Sequence, residues 1–228
     1  RVRLTLTTRL AASTTVLLLV AGTLGYYLLE STSNATKPEN DSPLAEAWFQ
    51  AVTFRTAGFN TVDHGDLQPA TKLFAIFLMF VGASPGSTGG GVKTVCFAVT
   101  ALALLSILRG RDRVEIAGRT IPQELVNRAL AIVWLGIAMV MAATLLLTLF
   151  EGDGQNGRFL DHLFEATSAF ATVGVSTGIT PELSSASRLV IIVTMFVGRV
   201  GPLTVLIALA GRQRTARYDY PVERVTLG

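Results

Sequence analysis

Charge is scarce in this chain: Asp, Glu, Lys and Arg make up 15% of its 228 residues, against roughly 25% in an ordinary soluble domain. Cysteine occurs once, at Cys96, and histidine twice, at His64 and His162. One cysteine excludes a disulfide framework, and so few soft ligands exclude a side-chain zinc cluster. Both histidines are expected in loops on the outer side, with no nucleophile fixed beside them, so a hydrolytic enzyme is not indicated. No nucleotide fold or phosphorylated-aspartate signature is legible either, so the chain is not a pump by itself. What it has in abundance is apolar sequence: half of the residues are hydrophobic and the mean hydropathy is +0.50. The composition predicts an all-α integral membrane protein.

Two blocks repeat at one offset. Phe54, Thr56, Gly58 and Thr61 recur 116 positions later as Phe170, Thr172, Gly174 and Thr177, and Met79-Phe80-Val81-Gly82 recurs as Met195-Phe196-Val197-Gly198. A shared offset in separated blocks indicates tandem duplication. Each copy begins with an apolar run, Leu10–Leu29 and Leu130–Phe150, about the ~20 residues that span a bilayer. The first run has no small-residue cleavage site ahead of a hydrophilic domain and is read as a span rather than a signal peptide. A short amphipathic segment follows, residues 45–54 and 159–170, then a Thr-x-Gly turn, then further apolar sequence at 72–83, 95–108 and 188–210. The unit is therefore helix, re-entrant half-length helix, turn, helix, with copies at 1–112 and 113–228.

Arginines precede the first run (Arg1, Arg3, Arg9), fill the polar connection 109–127, and follow the last run (Arg212, Arg214, Arg217, Arg224); acidic residues dominate the intervening connections. The bias places the arginine-rich segments in the cytoplasm and the turns near the outer side. Irregular backbone at membrane depth must be buried or line a polar cavity. Thr56-Ala57-Gly58-Phe59-Asn60 and Thr172-Val173-Gly174-Val175-Ser176 are thus candidates for carbonyls directed at a desolvated cation; the alternative is that Thr and Gly merely cap helix ends.

The stretch Gly82–Thr94 (GASPGSTGGGVKT) ends in Lys-Thr but is not a phosphate-binding loop, because Val92 precedes Lys93 and no strand leads into it. Pro and five glycines cannot hold a straight helix in hydrocarbon, so residues 84–91 must break one. The break is either a movable gate or a packed structural feature. Arg199, near the middle of an apolar run, is expected to face the pore or an internal partner, since lipid exposure costs ~2.5–3.5 kcal/mol. Arg55, beside the first turn, is expected to point back toward acidic neighbours such as Glu46 or toward another repeat, as an anchor.

The segments 54–61, 82–94, 171–177 and 196–202 (FVGRVGP) resemble the third and fourth pore repeats of the Trk/Ktr/HKT superfamily of potassium transporters, and the closing RYDYPVERVTLG is similar to the carboxyl end of the Ktr membrane subunit. The resemblance implies four repeats around one pore as in potassium channels, of which this chain holds two; a missing amino-terminal half is expected, with a head-to-head dimer of two-repeat chains as the alternative. It implies potassium as the transported ion, with sodium left open; selectivity at Gly58 and Gly174; an intramembrane gating loop at 84–91; and Arg199 beneath the filter as a barrier. It also implies a multi-pass protein of the bacterial inner membrane and a homodimer of full-length subunits on a cytoplasmic ring of nucleotide-binding regulatory proteins. Membrane lipids are expected as partners and nucleic acid is not. Tyr218, Tyr220, Pro221 and Val225 in the tail are expected to lie against a neighbouring protomer or to anchor in lipid headgroups.

Overall fold

The computed structural model describes residues 5–31, 42–111, 113–116, 118–152, 158–201 and 204. The aromatic tail, Arg1, Arg3 and the arginines beyond residue 204 lie outside these.

The order long helix, short helix, turn, helix occurs twice. Helix α1 spans Leu6–Ser31 and α5 spans Gln123–Glu151. At 1.5 Å per residue they are about 39 and 43 Å long, and these two are long and apolar enough to cross a membrane. Leu17 and Trp134 are 65% and 67% exposed, as suits helices whose outer face meets lipid rather than water.

Short helices α2 (Pro43–Val52) and α6 (Phe159–Ala171) run toward the two turns, their carboxyl ends nearest them. A π-turn over Thr53–Ala57 extends α2. Beyond the first turn, α3 covers Pro69–Phe80 and α4 covers Thr94–Leu108. Beyond the second, a 3-10 turn at Thr180–Glu182 precedes α7, Ser185–Val200. Helices α2 and α3 both begin on proline, whose missing N–H is one that a first turn leaves unpaired in any case.

Between α3 and α4 residues 81–93 are non-helical. The loop is drawn closed at its neck, where the Gly82 N–H donates to the Val92 carbonyl at 2.8 Å and the Val92 N–H to the Phe80 carbonyl at 3.2 Å. A Cβ at Gly82 would overlap the Gly90 carbonyl oxygen, so only glycine permits this closure.

The expectation of a purely helical chain is corrected in one place. Within the polar connection, β1 (Val114–Ile116) and β2 (Arg119–Ile121) form an antiparallel hairpin turning through Gly118 at φ +72°. Its paired Val114 and Ile121 are buried against Val99, Ala103, Val126 and Ala129 of α4 and α5. The main core gathers α1, α2, α3 and α6 around Phe54, Phe164, Leu78 and Met79.

Matching clasps tie each long helix to the start of a later one. The Thr71 hydroxyl of α3 donates to Glu30 at the end of α1, at 2.7 Å. In the second copy Glu151, at the end of α5, accepts from the Ser184 N–H at 2.9 Å and from Ser187, which stands at the position of Thr71. Among the described residues one ion pair crosses between the copies, Lys72 of α3 to Asp161 of α6 at 2.8 Å, with both side chains largely buried.

Candidate functional site: two apposed glycine turns above a glycine-rich loop

Apart from glycines, Thr56 and Thr172 are the residues with positive φ among those described, at +72° and +54°. A threonine in the left-handed region costs about 1–2 kcal/mol, and such strain is found where the surroundings impose it. The sequence places both at the same position of the two turns. Each is followed two residues later by a left-handed glycine, Gly58 at +77° and Gly174 at +94°.

The turns face each other. A Cβ on Gly58 would overlap the Val173 carbonyl oxygen, and one on Gly174 would stand 3.9 Å from the Gly58 Cα. Val173 and Val175 are buried side chains, while Gly174 is exposed. Backbone, rather than side chain, is what the second turn presents to the open side. In the first turn Ala57, Phe59 and Asn60 are exposed, Phe59 at 69%. Asn60, Thr61, Val62 and Asp63 line a cavity of about 440 Å³ with Ser176 and Gly178, spanning both turns.

Short hydrogen bonds hold the turns from behind. Thr53 Oγ1 donates to the Phe59 carbonyl at 2.6 Å, and Ser168 Oγ donates to the Val175 carbonyl at 2.6 Å. Phe59 and Val175 correspond at the offset of 116, yet Thr53 and Ser168 are 115 apart. Gln50 and Glu165, also 115 apart, reach Thr61 and Thr177 respectively. The copies therefore slip by one residue between the short helix and its turn. Both copies close an i→i+5 turn at that slip, the Gly58 N–H to the Thr53 carbonyl and the Val173 N–H to the Ser168 carbonyl, so the second has one more residue before its glycine. A search at a single offset misses all four residues; a second search at 115 finds the pairs Phe49-Gln50-Ala51 and Phe164-Glu165-Ala166.

Glu165 carries the heavier share. Its carboxylate accepts from Ser176 Oγ, from the Thr177 N–H at 2.9 Å and from Thr180 Oγ1 at 3.0 Å. Ser176 thus lines the cavity with its hydroxyl already committed to Glu165, and it also accepts from the Gly178 N–H. Gln50 donates to Thr61 Oγ1 at 3.0 Å and meets His64 Nε2 at 3.1 Å. His64, expected in an outer loop, does follow the first turn but is fully buried between Phe54 and Phe164. Burial pushes its imidazole down from 6.5 to about 4, Asp63 opposing the change. His162 is not in a loop; it is buried on α6 beside Thr148.

The glycine-rich loop touches both turns from below. The Gly90 N–H donates to Thr172 Oγ1 at 2.7 Å. A Cβ at Gly89 would stand 3.3 Å from Thr56 Oγ1, and one at Gly90 would press on Thr172, the Phe170 carbonyl and the Gly198 carbonyl at once. Lys93 closes the loop, its ammonium donating to the Gly89 carbonyl at 2.6 Å and the Ser87 carbonyl at 3.2 Å. Arg199 is an electrostatic neighbour of Lys93 and is exposed on α7. Arg55 does not pair with Glu46: its guanidinium donates to the Gly82 carbonyl at 3.3 Å, tying the first turn to the start of the loop. Among the described residues no group of His, Cys, Asp and Glu is arranged to hold a metal ion.

Residues 3–216 match the family model described as TrkH, cation transport protein. The chain belongs to the TrkH family. The family relatives include Ktr system potassium uptake protein D of Bacillus subtilis, 37% identical over 98% of this chain and 49% of that protein. Ktr system potassium uptake protein B of Vibrio alginolyticus is 38% identical over 97% of the chain and 48% of its own length. Potassium/sodium uptake protein NtpJ of Enterococcus hirae is 34% identical over 99% and 51%. The chain spans about half the length of these TrkH-family relatives. Among solved structures, the potassium transporter TrkH from Vibrio parahaemolyticus superposes with a TM-score of 0.66 at 24% identity, covering 89% of this chain and 44% of that one, and so shares its fold.

Proposed function

We propose that this chain supplies two of the turn-bearing repeats, residues 1–112 and 113–228, of the ion-conducting subunit of a potassium uptake transporter. The observation that carries the reading is the pair of strained threonines with left-handed glycines two residues on, apposed at the ends of two short helices. Residues 56–60 and 172–176 act as filter turns: carbonyls replace part of the ion's hydration, and the negative ends of α2 and α6 favour a cation there. Residues 84–91 act as the gate. They lie against Thr56 and Thr172, carry almost no side-chain bulk, and are held by Lys93 and the Gly90–Thr172 bond. The whole transporter is a multi-pass protein of the bacterial inner membrane, oriented with the hairpin in the cytoplasm, and works as a homodimer on a nucleotide-binding regulatory ring.

The test is ion uptake by the full-length protein in a potassium-uptake-deficient bacterium. Parent protein restores growth on low potassium, and Gly174→Ser lowers discrimination against sodium; equal sodium and potassium uptake by the parent overturns the selective reading. Shortening residues 86–91 raises flux without loss of assembly, and an unchanged open fraction in reconstituted protein assigns the loop to structure alone. A less selective sodium/potassium pathway is the second reading. It is favoured by Thr56-Ala57-Gly58, whose exposed Ala57 stands where the second turn has buried Val173.

A further inference from the structure

The two turns are braced by the same construction with different chemistry. At the first, the brace is the neutral amide of Gln50, which gives one hydrogen bond to Thr61 and spends its oxygen on His64. At the second it is the carboxylate of Glu165, 5% exposed, gathering Ser176, Thr177 and Thr180. Hydrogen bonds to an ionised acceptor are shorter and stronger than neutral ones, and three donors on one group fix the last residue of the turn, Ser176, together with Thr177 and Thr180 beyond it. A hydroxyl backs both turns alike, Ser168 donating to the Val175 carbonyl and Thr53 to the Phe59 carbonyl, with Thr53 also accepting from the Phe59 N–H. The difference lies in the brace: Gln50 has neither the number of bonds to its turn nor the charge of Glu165.

We infer that Glu165 is a positioning residue for ion selection: by clamping Ser176, Thr177 and Thr180 it makes the second turn the stiffer, selectivity-setting member of the pair, while the Gln50-braced first turn is compliant. The inference rests on the filter reading above. Stiffness matters because a turn that adjusts to a smaller ion recovers the cost of dehydrating it, whereas a clamped turn does not. Glu165 itself lies behind the turn and need not touch the ion.

The experiment compares full-length parent, Gly174→Ser, Glu165→Gln, Gln50→Ala and the double variant S176A/T180V in vesicles, measuring potassium uptake, sodium competition, half-saturating potassium and size-exclusion profile. Glu165→Gln lowers the potassium-over-sodium ratio about tenfold, the scale of one charge-assisted hydrogen bond, with the size-exclusion profile unchanged. S176A/T180V reproduces the loss, and adding Glu165→Gln to it costs little more; Gln50→Ala changes the ratio less than Glu165→Gln. An unchanged ratio in Glu165→Gln, beside a lowered one in Gly174→Ser, overturns the inference and leaves the filter reading standing. Fully additive losses, or a larger effect at Gln50, also overturn it. Failure of the parent to transport potassium overturns the filter reading first. If Glu165→Gln does not assemble, Thr180→Val alone carries the decision, since it keeps the carboxylate and removes a hydroxyl donor that lies outside the turn: a lowered ratio supports the clamp and an unchanged one overturns it.

Discussion

Gly198→Ala offers a test whose sign depends on a single contact. Gly198 lies inside α7 with ordinary helical backbone, where replacing glycine by alanine normally stabilises by about 1 kcal/mol. Here the added methyl would overlap the carbonyl oxygen of Phe170, at the end of α6, well inside the 3.0 Å below which Cβ contacts essentially do not occur. The obstacle is backbone with backbone on both sides, so α7 and α6 must separate by about 1 Å. Overpacking of this kind costs up to about 3 kcal/mol or more, leaving a net loss of about 2 kcal/mol. On the usual scaling, for a protein about twice the length of this chain, that lowers a melting temperature by roughly 2–4 °C. The assay is thermal unfolding of the full-length protein in detergent, followed by the loss of the monodisperse size-exclusion peak. A melting temperature equal to or above the parent's would show that α7 does not press on α6 and would remove the basis for placing Gly198, Phe170 and Gly90 at one contact point.

Other expected outcomes are as direct. Lys72→Met leaves Asp161 as an unpaired, largely buried charge and destabilises by about 3 kcal/mol; adding Asp161→Asn recovers most of that in the same melt, and additive losses would refute the coupling. His64 is neutral when folded, with its imidazole pushed to about 4, whereas an unfolded chain takes the proton near 6.5. Its stabilising contribution is therefore complete above pH 6.5 and is lost as pH falls toward 4, by about 3 kcal/mol over that window; His64→Gln flattens that part of the stability profile. Thr172→Val removes the acceptor of the Gly90 N–H at nearly constant volume, costs about 1–3 kcal/mol, and speeds proteolysis or labelling within residues 84–91; unchanged accessibility of the loop would refute its tether.

Helices were the legible part of this fold. The apolar runs at 10–29 and 130–150 lie within α1 and α5, and the pre-turn segments at 45–54 and 159–170 fall on α2 with its π-turn and on α6. The hairpin at 114–121 was not, because three-residue strands carry too little alternation to stand out in a polar connection, and Val114 and Ile121 acquire their meaning only from α4 and α5. At the candidate site the turns could be located from threonine and glycine, but their support could not. In the sequence Glu165 is one of several acids in an outer connection and Lys72 only opens an apolar stretch; the fold brings Ser176 and Thr180 to the first and Asp161 to the second. For Arg55 charge alone suggests an acidic neighbour such as Glu46 or a partner in another repeat, whereas its guanidinium donates to the Gly82 carbonyl of the broken helix.

The one-residue slip between the copies also changes what counts as an equivalent position. Counting along the chain pairs Gln50 with Ala166 and Thr53 with Ala169, which share no partner, whereas the hydrogen bonds pair Gln50 with Glu165 and Thr53 with Ser168. Any averaged profile built on a fixed period would blur the residues that hold the turns, and would keep in focus those that form them. The copies differ by one residue between the hydroxyl brace and the glycine, five from Thr53 to Gly58 and six from Ser168 to Gly174, although both close the same kind of turn. In an engineered transporter the two halves could be exchanged in blocks ending at Phe54 and Phe170, but a chimera cut between Gln50 and Thr53 would rotate its turn out of step with its own braces.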